Sequence, residues 1–99
     1  MSGSELTRQS VPSLPRGVRL KHDDVRDRTI LVAPERTLVL DGPGIAIMEL
    51  VDGENSIEVI AERLAEKFDA PLKTIGNDVV AFLRDLINRG YLDIRNDGG

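Results

Sequence analysis

The spacing of apolar positions changes once along this chain, near Asp41. Before it, Val18, Leu20 and His22 alternate with Arg19 and Lys21. That is the spacing of a strand with one buried face. Residues 23–28 are polar apart from Val25 and read as a hairpin loop. Residues 29–32, Thr-Ile-Leu-Val, predict a second strand. Pro34-Glu35-Arg36 predicts a tight turn, because proline fixes φ and brings no ladder donor. Thr37, Leu38, Val39 and Leu40 predict a third strand, with Leu38 and Leu40 on one face and Thr37 and Val39 on the other. Connections this short favour an antiparallel meander.

From Asp41 onward the period is helical. Asp41 is placed to cap a helix whose first turn holds Gly42 and Pro43. Ile45, Ile47, Met48, Leu50 and Val51 point all round it, which predicts a buried helix. Asp52-Gly53 stops it. Ser56 is a good N-cap for a second helix, with Ile57, Ile60, Ala61, Leu64, Ala65 and Phe68 on one face. Pro71 opens a third helix that runs to about Arg89. Its apolar residues fill an arc of about 160°, more than one neighbour needs, so it should touch two surfaces. Gly76 lies inside that arc, where a missing side chain permits close backbone approach. Gly90 is a left-handed stop, followed by a short extended tail of Tyr91, Leu92 and Ile94.

The predicted fold class is therefore α+β: a three-stranded antiparallel β-meander, then a three-helix bundle, in the manner of a winged helix-turn-helix. Residues 1–16 carry Pro12 and Pro15 and no apolar period, which predicts a flexible N-terminal arm. Residues 17–94 form the folded domain, and residues 95–99 are expected to be a disordered tail.

Charge and composition narrow the function classes. The net charge of -4 repels a phosphate backbone, and 3% aromatics is too few for a base-stacking platform. The chain has no Cys, so disulfides and thiolate metal sites are excluded. No apolar run reaches the ~18–20 residues that span a bilayer. Met1 to Gly17 holds no signal-peptide core, and a cytoplasmic location is expected.

No residue pattern looks catalytic. His22 is the only histidine, and no nucleophile accompanies it. Its neighbours Asp23 and Asp24 point to different sides, which disfavours a metal site. Glu58, Glu62 and Glu66 stand in one row and read as a solvated helix face. Ser56 sits where acyl carrier proteins attach phosphopantetheine, but Asn55-Ser56-Ile57 replaces their usual Asp-Ser-Leu, and a helix cap accounts for it. A winged-helix DNA reader is the other alternative. Its third helix would expose Lys73, Asn77, Asp78, Arg84, Asp85, Asn88 and Arg89, a face of mixed sign.

The third strand is the sharper feature. It ends the meander, so one edge presents unpaired N–H and C=O groups, and beyond Arg36 it carries no charge to blunt that edge. Two readings follow from periodicity: a site where a peptide adds as a strand, or an edge covered by the N-terminal arm.

Several segments carry a resemblance. They are Arg16-Gly17-Val18-Arg19-Leu20, Leu31-Val32-Ala33-Pro34-Glu35-Arg36, Leu50-Val51-Asp52-Gly53 with Ser56-Ile57-Glu58, and Asp78-Val79-Val80-Ala81-Phe82-Leu83 with Gly90-Tyr91-Leu92. Through them the chain resembles the PqqD family, the small peptide chaperones of pyrroloquinoline quinone (PQQ) biosynthesis, over about residues 15–94. It departs at Val59, where many relatives carry an acidic residue, and in the glycine-rich Asp41-Gly42-Pro43-Gly44. The resemblance implies a protein that is not an enzyme and uses no cofactor. Its partners would be the precursor peptide PqqA and the radical S-adenosylmethionine enzyme PqqE, with no nucleic acid or membrane. It implies a peptide added to the third strand and lying against the third helix. The expected peptide-binding residues are Arg36, Thr37, Leu38, Val39, Leu40, Ile75, Val79, Phe82, Leu83 and Leu86. Arg36, Lys73 and Arg84 are candidates to pair with peptide carboxylates.

Overall fold

The computed structural model describes residues 6–96. In chain order its elements are β1 (Ser10–Ser13), β2 (Arg19–Asp23), β3 (Arg28–Ala33), β4 (Arg36–Leu40), α1 (Gly42–Met48), α2 (Ile57–Phe68), α3 (Leu72–Asn88) and β5 (Asp93–Asn96). The three predicted strands are β2, β3 and β4, joined as an antiparallel sheet in that order. Ala33 pairs with Arg36 across the Pro34-Glu35 turn, and the register continues to Thr29 opposite Leu40. Leu31, Ala33 and Leu40 point inward and are buried. Val18 and Leu20 are half-buried, whereas His22, near the hairpin loop, is exposed. The alternation therefore fades toward that loop.

Two expectations for the chain ends are corrected. Residues 10–13 are not a flexible arm but strand β1, with Ser10, Val11 and Pro12 buried. Residues 95 and 96 are not a disordered tail, because β5 pairs antiparallel with β1 from Ser13↔Asp93 to Ser10↔Asn96. Residues 1–5 and 97–99 lie outside the described residues. The arm lacked a legible period because its burial comes from two distant partners. One is β5; the other is α2, to which Arg8 ties it: the Arg8 carbonyl accepts the Glu58 N–H at 2.9 Å, and its guanidinium pairs with the Glu58 carboxylate at 2.6 Å. Glu58 is thus clipped to the N-terminal segment rather than standing on a purely solvated face.

Side-chain caps fix the starts of α1 and α2. Asp41 accepts the Gly44 N–H, and Ser56 accepts the Val59 N–H at 3.2 Å, each satisfying a free donor of a first turn. Gly53 and Gly90 both take φ +84°, a conformation that favours glycine. The expected stop of the first helix at Asp52-Gly53 is corrected: α1 ends at Met48, and Leu50 and Val51 follow it in tighter turns that bond three residues back. Ile57, Ile60, Leu64, Val79, Leu83 and Leu86 interlock between α2 and α3 and build the core with Leu31. At Gly76 it is not a backbone but a side chain that comes close: the Arg8 guanidinium lies where a Cβ would stand.

Candidate functional site

The free edge of β4 follows from the sheet order, since only β3 lies beside it. Which groups face that edge follows from the register. Ala33 and Arg36 close a two-residue turn and form a hydrogen-bonded pair, so pairing alternates from there. Leu38 and Leu40 direct their N–H and C=O groups at β3, whereas Thr37 and Val39 direct theirs outward. Neither Thr37 nor Val39 makes a backbone bond outside the β3 ladder among the described residues. Among the described residues, the arm's own strand does not pair with this edge, because β1 pairs with β5.

Two contacts relate α3 to the ends of β4. At one end Arg36 donates from Nη2 to the carbonyl of Arg89 and stands 4.6 Å over the Tyr91 ring. Just past the other end, Gly44 meets Phe82, whose ring atoms would stand 3.0 Å from a Cβ there. A side chain at Gly44 would press on that ring, so glycine eases the seating of α1 against α3. The predicted second surface of α3 is this contact with α1, in addition to its packing on α2.

The structure sorts the expected peptide-binding residues into three groups. Thr37 and Val39 are exposed, and Leu38, Ile75 and Phe82 are half-buried and reachable. Leu40, Val79, Leu83 and Leu86 are core residues, exposed by 7% or less. This corrects the expectation that Val79, Leu83 and Leu86 would offer exposed surface: they set the position of the α3 wall from beneath it. Arg36 is also corrected. Its guanidinium is engaged with the C-terminal end of α3, so it fixes the strand to the helix rather than standing ready for a carboxylate. Lys73 and Arg84 are exposed on α3.

One feature escaped the sequence reading. A cavity of about 500 Å³ opens beside the start of α1, between Gly42, Pro43, Phe68, Ile75, Asp78 and Val79. Phe68, expected on a buried face, is 54% exposed at this opening. The only sequence signal was the glycine-rich start of α1, where missing side chains leave room.

The remaining candidates resolve locally. Ser56 is engaged as a cap. His22 Nε2 lies 3.3 Å from Asp27 and 3.7 Å from Asp24, so the loop brings it Asp27 rather than Asp23. Asp23 turns instead to Arg26 and Arg28. Asp85 and Arg89 pair at 3.7 Å on the exposed face of α3, which reduces the free positive charge a DNA reader would need. No helix among the described residues is long and apolar enough to cross a membrane.

Comparisons with known proteins agree on one family. Residues 28–92 match the family described as coenzyme PQQ synthesis protein D (PqqD). A PqqA binding protein of Rhizobium meliloti is 47% identical over 85 residues, covering 86% of this chain and 87% of the relative. The bifunctional coenzyme PQQ synthesis protein C/D of Methylorubrum extorquens is 43% identical over 83 residues, or 84% of this chain and 22% of that longer protein. In solution, the PqqD truncation of Methylobacterium extorquens PqqCD is a functional, stand-alone recognition element for ribosomally synthesized and post-translationally modified peptides. It superposes with a TM-score of 0.79 at 40% identity, covering 94% of this chain and 99% of that one. PqqD from Xanthomonas campestris gives a TM-score of 0.54 at 39% identity, covering 86% and 94%. By sequence and by fold, the chain belongs to the PqqD family.

Proposed function

We propose that this protein is a non-catalytic chaperone that binds the precursor peptide PqqA by strand addition along β4 and presents it to the radical S-adenosylmethionine enzyme PqqE. The observation that carries the reading is the open edge at Thr37 and Val39, flanked by α3. An added strand gains backbone hydrogen bonds that any sequence can supply, and flanking side-chain surfaces then select among sequences. The names of its relatives, PqqA binding proteins, support the choice of peptide. The delivery step to PqqE rests on the family resemblance.

Titrating isotopically labelled protein with PqqA tests strand addition. The amides of Thr37 and Val39 should shift and become protected from exchange, together with Phe82 on α3. Shifts confined to β2 or the β1–β5 pair would overturn the assignment. The delivery step is tested by following PqqE crosslinking of PqqA with and without this protein. Equal turnover in both would remove that part of the proposal.

A further inference from the structure

Alternation along β2, β3 and β4 turns one set of side chains into the core and leaves the other set on the outward face of the sheet. Ladder partners share a face, so the register sets Arg19 beside Val32 and Thr37, and Lys21 beside Ile30 and Val39, on that outward side. Val39 is 49% exposed, and Ile30 and Val32 are half-buried but stand outside the core cluster that Leu20, Leu31 and Leu38 join. An apolar patch is thus bordered by cations along β2. At the Pro34 end a depression of about 360 Å³ opens between Arg19 and Val32. Among the described residues Arg19 and Lys21 have no ion pair, and the outward carboxylate of β2, Asp23, is taken by Arg26 and Arg28. The free charge of this face is therefore positive, on a chain whose net charge is -4.

Resting on the delivery reading, we propose that this outward face is where the modifying enzyme docks, through a surface of its own that sets carboxylates around an apolar patch. Opposite charge steers and orients such an encounter, and the apolar patch supplies area that leaves water. β2 and β4 are only ~10 Å apart at ~4.8 Å per strand, so one partner surface spans all three strands. A strand added at β4 would extend the same face. Its alternate side chains would stand beside Thr37 and Val39, and the others would turn inward. The inward set is then held by this protein, while the outward set is offered to the enzyme on a common surface. A second copy of this chain fits the face poorly, because its free charges have the same sign and no acidic row meets them. Nucleic acid also fits poorly, because the net charge opposes it and the centre of the face is apolar.

Arg19→Glu combined with Lys21→Glu tests the docking face without touching the open edge of β4. Both side chains are exposed, so the thermal unfolding midpoint and the PqqA affinity should stay as in the wild type. Affinity for PqqE, measured with PqqA bound, should fall at least tenfold. Arg63→Glu combined with Lys67→Glu makes the same change in net charge on α2 and should leave PqqE affinity within twofold. Ile30→Thr keeps a β-branched residue and should weaken PqqE at least threefold, again with PqqA affinity unchanged. Equal PqqE affinity of the wild type and the Arg19→Glu, Lys21→Glu variant overturns the docking face and leaves delivery standing. An equal loss in the α2 variant also overturns it, because the effect would then be one of net charge alone. Wild-type protein that forms no complex with PqqE overturns delivery itself, and the inference with it. A wild-type dimer in sedimentation, or salt-sensitive binding to duplex DNA, that the Arg19→Glu, Lys21→Glu variant abolishes would assign the face to a second copy or to nucleic acid and overturn the proposal.

Discussion

Val11 in β1 and Val39 in β4 are the same residue on strands at the margins of two small sheets, yet Val11 is 4% exposed and Val39 is 49% exposed. The difference lies in what packs on each strand. β1 is pressed onto the body of the domain, paired with β5 and anchored by the contact of Arg8 with Glu58. Its Pro12 is fully buried and offers no N–H for a further strand. β4 holds its inner face through Leu38 and Leu40 but has no strand on one edge among the described residues. Past Arg36 it has neither Pro nor charge to protect that edge. The two margins show that closing an edge and burying a face are separate problems. This domain solves both for β1 and only the second for β4, and an edge left open is where a strand can be added.

The largest expected effect separates the two margins by one substitution made twice. Val11→Asp places an unpaired carboxylate in the core and should lower the unfolding free energy by about 3 kcal/mol or more. Val39→Asp should cost about 1 kcal/mol or less. Chemical denaturation of both variants reads this directly. Similar losses in the two would break the comparison.

A proline pair then tests which groups of β4 face outward. Leu38→Pro removes an N–H that bonds β3 and should cost about 1–3 kcal/mol of stability. Val39→Pro removes an N–H that faces the open edge. It should leave the unfolding transition nearly in place and weaken PqqA at least tenfold, measured by calorimetry. The reverse pattern would mean that the ladder alternates the other way.

Smaller effects sharpen the account of the closed margin. Arg8→Ala removes a partly exposed ion pair and should cost about 0.5–1 kcal/mol, with PqqA affinity unchanged. Hydrogen exchange should then speed up in β1 and stay constant in β4. The smallest effect concerns pH. The backbone N–H groups of Asn55 and Glu54 bond the Asp52 carboxylate and hold its pKa below the ordinary 3.8. A folded-state pKa below the unfolded one means the carboxylate stabilises the fold above the unfolded value. That stability is lost as pH falls through the lowered folded value. Wild-type protein should therefore lose more stability than Asp52→Asn between neutral pH and pH values below about 4. Parallel unfolding curves of the two across this range would remove Asp52 from the acid response.

The sequence alone determined the α+β order, the caps at Asp41 and Ser56, the stop at Gly90, and the two-faced character of β4. Each depends on residues within a few positions of one another, so local stereochemistry and a short apolar period suffice. It also singled out β4 as the unprotected margin, because the absence of charge and proline is itself a local pattern. What only the tertiary structure decided lies between distant segments. Residues 10–13 become a strand because β5 lies at the other end of the chain, a pairing that no local period records. Val79, Leu83 and Leu86 share a helical arc with Phe82, yet only the seating of α2 and α1 determines which of them keep any surface. Arg36 looked free beside a turn and is held instead by the end of α3. The cavity at Gly42 lies where three helices meet, so beyond the glycines that open α1 its enclosure depends on residues far apart in the chain.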